Sequence, residues 1–213
     1  MTAGRLIVWR HGRTEWNHTG RFQGQADVPL DEYGRRQARS AAQVLAGLRP
    51  TRIVSSDLSR ARETAAALTA VTGLSATTDR RLREIHVGSW EGLTADQVAA
   101  ADPDRARRYL TGEDVRRSAT GETVAEVSAR VAEVLGEVAE QSEDGATVVV
   151  AMHGLAARVG VCRFVGLPEE TWRLLGGMHN CGWITLQRHR TGHYWRIDEY
   201  NVTVGLDVQD PIS

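Results

Sequence analysis

The chain has no lysine: all 26 basic side chains among its 213 residues are arginine. That excludes a Schiff-base lysine, a phosphate-loop lysine and a Ser–Lys hydrolytic pair. A site for an anion must therefore draw on arginine, histidine, backbone N–H groups or a metal. Arginine suits phosphate because its planar fork donates two parallel hydrogen bonds. Cysteine is almost as scarce. Cys162 and Cys181 are too few for a disulfide framework or a four-ligand zinc site, which points to a reducing, cytoplasmic setting. No apolar run approaches the ~18 residues expected of a membrane span. The opening segment, Met1 to Arg5, runs straight into a short apolar strand without the long apolar core of a signal peptide. Net charge is −1, so neither a nucleic-acid surface nor a disordered acidic tail is indicated.

What is present is an alternation of strand and helix patterns along residues 1–213, read as a single domain without repeats or linkers. Arg5 to Trp9 is a continuous apolar strand that stops at Arg10-His11-Gly12. A loop runs to Pro29, Asp31 caps a helix reaching about Leu48, Ile53-Val54 is a second strand, and Ser59 to Thr72 is helical with Gly73 as its stop. Leu82 to Gly92 reads as a loop with a short extended start, followed by two modest helices between Thr94 and Leu110. From about Glu122 to Gln141, Val124, Val127, Val131, Val134 and Val138 recur at spacings of three and four, one apolar stripe. Thr147 to Ala151 is a buried strand ending at His153-Gly154, with a helix from Leu155 to Val165 behind it. Trp183–Gln187 and Tyr194–Tyr200 form a hairpin; His189 and His193 fall at its tip, where they make no metal pair. The class is α/β, a three-layer α/β/α sandwich with a mostly parallel sheet.

In such sheets ligands bind beyond the carboxyl ends of the strands. Three strand ends carry the same chemistry: Arg10-His11-Gly12, Ser55-Ser56-Asp57 leading to Arg60, and His153-Gly154. Adjacent parallel strands would gather two arginines and two histidines around one spot, a phosphate site by charge and by hydrogen-bond geometry.

These segments, with Leu82-Arg83-Glu84-Ile85-His86 and Gly88-Ser89-Trp90-Glu91-Gly92, resemble in order the motifs of the histidine phosphatase (phosphoglycerate mutase-like) superfamily. The resemblance implies that His11 attacks phosphorus with an unprotonated nitrogen, its other nitrogen held by backbone. It implies that Arg10, Arg60 and His153 neutralise the non-bridging oxygens, and that Glu84, rather than Glu91, protonates the leaving group and then activates water. Asn17, Gln23, Gly24, His86 and Gly154 are implied to line the substrate site. No metal or other cofactor is implied. Asp57 is read as a turn or cap residue, Arg13 and Arg21 as rim arginines, and Arg116-Arg117 as a substrate arm or, more simply, a solvated pair.

The short stretch from Ile85 to Met152 is similar to the phosphatase branch, with water as acceptor. Arg21 to Gln25, Gly176 to Trp183 and Trp195 to Asn201 resemble actinobacterial phosphatases acting on sugar–phosphoglycerate esters, although Arg13 and His179 depart from that pattern. A small phosphorylated metabolite is the implied partner, and a homodimer the implied assembly. The alternatives are a cofactor-dependent phosphoglycerate mutase and an inactive phosphate-binding module.

Overall fold

The structure, a computed structural model, describes residues 2–205. Its centre is a sheet in the order β3-β2-β4-β1-β5-β6, with β1 Arg5–Arg10, β2 Arg52–Ser55, β3 Ala76–Thr78, β4 Thr147–Met152, β5 Trp183–Arg188 and β6 Trp195–Val202. The first four strands run parallel; β5 and β6 close one side antiparallel. Side chains alternate across the pleat. Leu6, Val8, Val148 and Val150 pack on one face beneath α6 (Val124–Glu140) and α7 (Gly154–Phe164). Ile7, Trp9, Val149 and Ala151 pack on the other beneath α2 (Glu32–Gly47) and α3 (Ser59–Thr72). This is the expected three-layer α/β/α sandwich.

The valine stripe is the inward face of α6: Val127, Val131, Val134 and Val138 are all buried. The helix begins at Val124, not Glu122, because Thr123 forms a capping box with Glu126. Glu122 is thereby released for another task described below. Five short elements went unread in the sequence. α1, Glu15–His18, is started by a capping box between Thr14 and Asn17 inside the expected loop. β3 is a three-residue edge strand, exposed throughout, with no apolar signal. Arg80–Leu82 and Gly88–Trp90 form 3-10 turns where an extended start was expected, because Asp79 caps the first turn through the Arg81 N–H. Glu169–Leu174 is a further 3-10 segment. The two modest helices are α4 (Ala95–Ala101) and α5 (Pro103–Leu110).

Parallel pairing in register sets the site. Arg10 lies opposite Met152, and Ser55 opposite Ala151, so β1, β2 and β4 end at one level. Beyond the ends the ladder continues: His11 N donates to Met152 O at 2.9 Å and Ser56 N to Ala151 O at 2.9 Å. The loop after β1 is pressed onto the first turn of α2. A Cβ on Gly34 would lie 2.1 Å from Arg13 O, and one on Gly12 would lie 2.4 Å from Gly34 O, so only glycine fits at either position. No helix among the described residues is long and apolar enough to cross a membrane.

Candidate active site

His11 and His153, from adjacent strand ends, meet edge to face with ring centroids 5.2 Å apart. His11 Nδ1 is 2.7 Å from Gly12 O. A carbonyl can only accept, so Nδ1 carries the hydrogen and Nε2 keeps its lone pair. Burial, then Arg60, then Arg10 push the His11 pKa well below 6.5, so the ring is neutral at pH 7. Its backbone is held from both sides: Gly12 N donates to Thr64 Oγ1 at 3.1 Å, and Asn180 Nδ2 donates to His11 O at 3.1 Å.

Arg60 is fully buried at the second position of α3. Its fork reaches Ala26 O at 2.7 Å and Gly24 O at 2.8 Å, and its Nε donates to His153 Nδ1 at 3.2 Å. Burial, the largest influence, pushes Arg60 down to about 10, with Arg10 adding to the push and Glu84 and Asp27 opposing it. The group remains a cation at neutral pH. Arg10 is also buried; it donates to Met178 O, and its guanidinium lies over Gly154, where a Cβ would come within 3.1 Å of Nε. His153 is engaged at both nitrogens: Nδ1 accepts from Arg60, so Nε2–H donates to Ser56 Oγ at 2.9 Å. Burial first, then Arg60, His11, Arg130 and Arg10, hold its pKa well below 6.5. Two buried guanidiniums beside two imidazoles held neutral, first by burial and then by those guanidiniums, leave the cluster positive, the electrostatic signature of an anion site.

Glu84 closes the group. Its Oε1 accepts from Ile85 N at 2.9 Å and Ala156 N at 3.0 Å, and Oε2 accepts from Leu155 N at 3.2 Å. The carboxyl group thus sits at the N-terminus of α7, directly after His153-Gly154, where it accepts from N–H groups that have no partner within the helix. Glu91, its rival in the sequence, instead accepts from Gln25 N at 2.9 Å and stands 3.6 Å from His86 Nδ1. Thr14 links Asn17 and Gln23, whose carbonyl oxygens lie 3.1 and 2.9 Å from its hydroxyl. Gly24, with φ +53, turns its carbonyl onto Arg60.

Several residues behave differently from their sequence reading. Asp57 caps nothing; it forms a bidentate pair with Arg83 at 2.7 and 2.6 Å, which holds its carboxyl below the usual range. Arg116 and Arg117 part company: Arg116 is exposed, as expected of a solvated arginine, and Arg117 is not. Arg116 bonds Glu126 and Gly121 O, while Arg117 is buried over the Tyr109 ring, 4.4 Å from its centre. Arg13 pairs with Asp31 at 2.8 Å and stacks on Tyr33. Arg21 is exposed, as expected of a rim residue. Sequence reasoning missed Ser56, Thr64 and Asn180, which orient the two histidines. Asn180 lies within the Gly176 to Trp183 segment, but nothing in the sequence ties it to His11.

The buried neutral histidines set a pH dependence. Both folded pKa values are depressed, so below pH ~6.5 the unfolded chain binds protons that the folded chain refuses, and stability falls as pH falls. Two such groups cost about 2 kcal/mol between pH 6.5 and 5.5. Urea unfolding across that interval checks this, and His153→Gln should halve the slope.

The fold and this cluster define a class. The chain belongs to the histidine phosphatase superfamily (branch 1), whose profile matches residues 6–203. It is accordingly an enzyme of phosphoric monoester hydrolysis. Among its relatives, the glucosyl-3-phosphoglycerate phosphatase of Mycobacterium tuberculosis is 40% identical over 95% of this chain and 96% of that protein. A solved mycobacterial glucosyl-3-phosphoglycerate phosphatase complexed with VO3 superposes with a TM-score of 0.87 at 39% identity, covering 94% of this chain and 100% of the other. A probable phosphoglycerate mutase of Yersinia pestis is 34% identical over 83% of this chain and 81% of its own.

Proposed function

We propose that the chain is a one-domain, metal-independent phosphatase of a sugar- or phosphoglycerate-type phosphate ester, glucosyl-3-phosphoglycerate being the first candidate. The observation that carries the reading is the neutral His11 ring, with Nδ1 tied to Gly12 and Nε2 unprotonated, between two buried arginines. His11 Nε2 attacks phosphorus, the bond from phosphorus to the ester oxygen breaks, and Glu84 gives its proton to the departing oxygen. Glu84 then takes a proton from water, whose oxygen displaces His11 and releases inorganic phosphate. Arg10 and Arg60 neutralise the non-bridging oxygens. His153, neutral chiefly through burial and bonded to both Arg60 and Ser56, stands beside them and holds the Arg60 guanidinium toward the anion.

Asn17 and Gln23, their carbonyls committed to Thr14, turn their amide nitrogens toward the anion. Gly24, Gly154 and His86 complete the lining. The same reading includes a cytoplasmic setting, consistent with two buried free cysteines, and a homodimer; Leu110 and Leu174 are the most exposed large apolar side chains among the described residues, and light scattering of wild type and Leu174→Glu tests the assembly.

The test is phosphate release in EDTA. The proposal expects glucosyl-3-phosphoglycerate to outpace simple sugar phosphates and nucleotides. A mutase, the reading favoured by the Yersinia relative, would isomerise 3-phosphoglycerate with little free phosphate.

A further inference from the structure

The carboxylate of Glu84 rides on a loop whose backbone is gripped by one side chain from the helix packed beside it, α6. Arg130, on α6, uses all five of its N–H groups. Nη1 donates to Arg81 O and Arg83 O at 2.6 Å each, Nη2 to Glu84 O at 3.0 Å, and Nε and Nη2 to the two oxygens of Glu122 at 2.9 Å. Glu122 in turn accepts from His86 N at 2.8 Å, and its own N–H donates to His86 O at 2.8 Å. The pair therefore holds the peptide groups on both sides of Glu84, and it is mostly shielded from water, with side chains 17% and 22% exposed.

A surface ion pair of that kind contributes little, but this one is not an isolated pair. Three carbonyls converge on a single planar fork, a geometry that lysine cannot reproduce. It also explains why α6 starts two residues later than its apolar pattern suggests: Glu122 is spent on the loop, and Thr123 takes the cap.

We infer that Arg130 and Glu122 are positioning residues that fix the Glu84 carboxyl at proton-transfer distance from the leaving oxygen. They touch no reacting atom; they hold the backbone from which the acid projects. The inference rests on the reading of Glu84 as the general acid. General acids act over hydrogen-bond distances, and a displacement of ~1 Å can cost about 10²-fold in rate.

The measurement is kcat/KM for two aryl esters of different leaving-group basicity, 4-nitrophenyl phosphate and phenyl phosphate, in Arg130→Met, Glu122→Gln and Glu84→Gln. Loss of acid assistance hurts the more basic phenolate. Arg130→Met is expected to lose about 10²-fold on phenyl phosphate and no more than about tenfold on 4-nitrophenyl phosphate. Glu122→Gln, which keeps the side-chain shape, should show the same bias more weakly. Competitive inhibition by inorganic phosphate should stay within about threefold of wild type, since the anion pocket is untouched. Arg130→Lys should not restore the phenyl phosphate rate.

Equal losses on both esters, or none, in Arg130→Met and Glu122→Gln would overturn the inference. If Glu84→Gln itself is blind to the leaving group, the assignment of the acid fails first, and the positioning role fails with it.

Discussion

His11→Ala is expected to lower turnover by at least about 10⁴-fold on every substrate while leaving inorganic phosphate bound within about threefold of wild type. The separation follows from the geometry. The anion's positive partners, Arg10 and Arg60, come from β1 and α3, and neither relies on the imidazole for its anchorage: Arg10 is held by Met178 O, Arg60 by Gly24 O and Ala26 O. Only the attacking lone pair disappears. The fold loses one local hydrogen bond, Nδ1 to Gly12 O, so the variant should remain folded at room temperature. Isothermal titration with phosphate and a coupled assay of phosphate release measure the two halves separately. Retained turnover would remove His11 as nucleophile; lost phosphate binding would mean that the imidazole, rather than the guanidiniums, holds the anion.

Arg60→Met has a different signature, because Arg60 serves the chemistry and the fold together. Removing a charged donor from a transition-state oxygen typically costs about 10²–10³-fold in kcat. The same substitution leaves Gly24 O, Ala26 O and His153 Nδ1 without the partner they share, and buried acceptors left unpaired cost about 1–3 kcal/mol each. A stability loss of about 3 kcal/mol should accompany the kinetic one. Arg60→Lys separates charge from shape. Burial, chiefly, depresses Arg60 from 12.5 to about 10, which leaves arginine charged at neutral pH. A lysine begins near 10.4, about two units below arginine, so the same burial would carry it down toward the neutral range. The lysine variant should therefore lose phosphate affinity as pH rises from 7 to 9, as the ammonium gives up its proton, while the wild type holds its affinity over that range. A flat profile in the lysine variant would mean that the site is wetter than the structure indicates.

Much of this was legible in the sequence because the carriers are strong local signals. A run such as Leu6-Ile7-Val8-Trp9 between polar stops admits few readings other than a buried strand, and the three strand ends announce their chemistry. What the sequence hid depends on long-range geometry. Arg130 and Glu122 look like ordinary charges on the flank of an amphipathic helix, and only the packing of α6 against the Arg81–His86 loop makes them a clamp. Asp57 looks like a turn residue until Arg83 arrives beside it. Asn180 and Thr64 are polar residues with no local pattern, and they acquire meaning because β5 and α3 bring them to the backbone of residues 11 and 12. β3 escaped notice for a simpler reason: an edge strand of three exposed residues buries nothing and leaves no hydrophobic periodicity.

The account stands on a covalent bond between phosphorus and one nitrogen. Rapid acid-free quenching of the enzyme during turnover of a ³²P-labelled ester, followed by peptide mapping under alkaline conditions, reads that bond directly. The account predicts label on the peptide containing His11, acid-labile and alkali-stable, and none in His11→Ala. Label on another residue, or steady turnover by wild type with no labelled protein under single-turnover conditions, would contradict it.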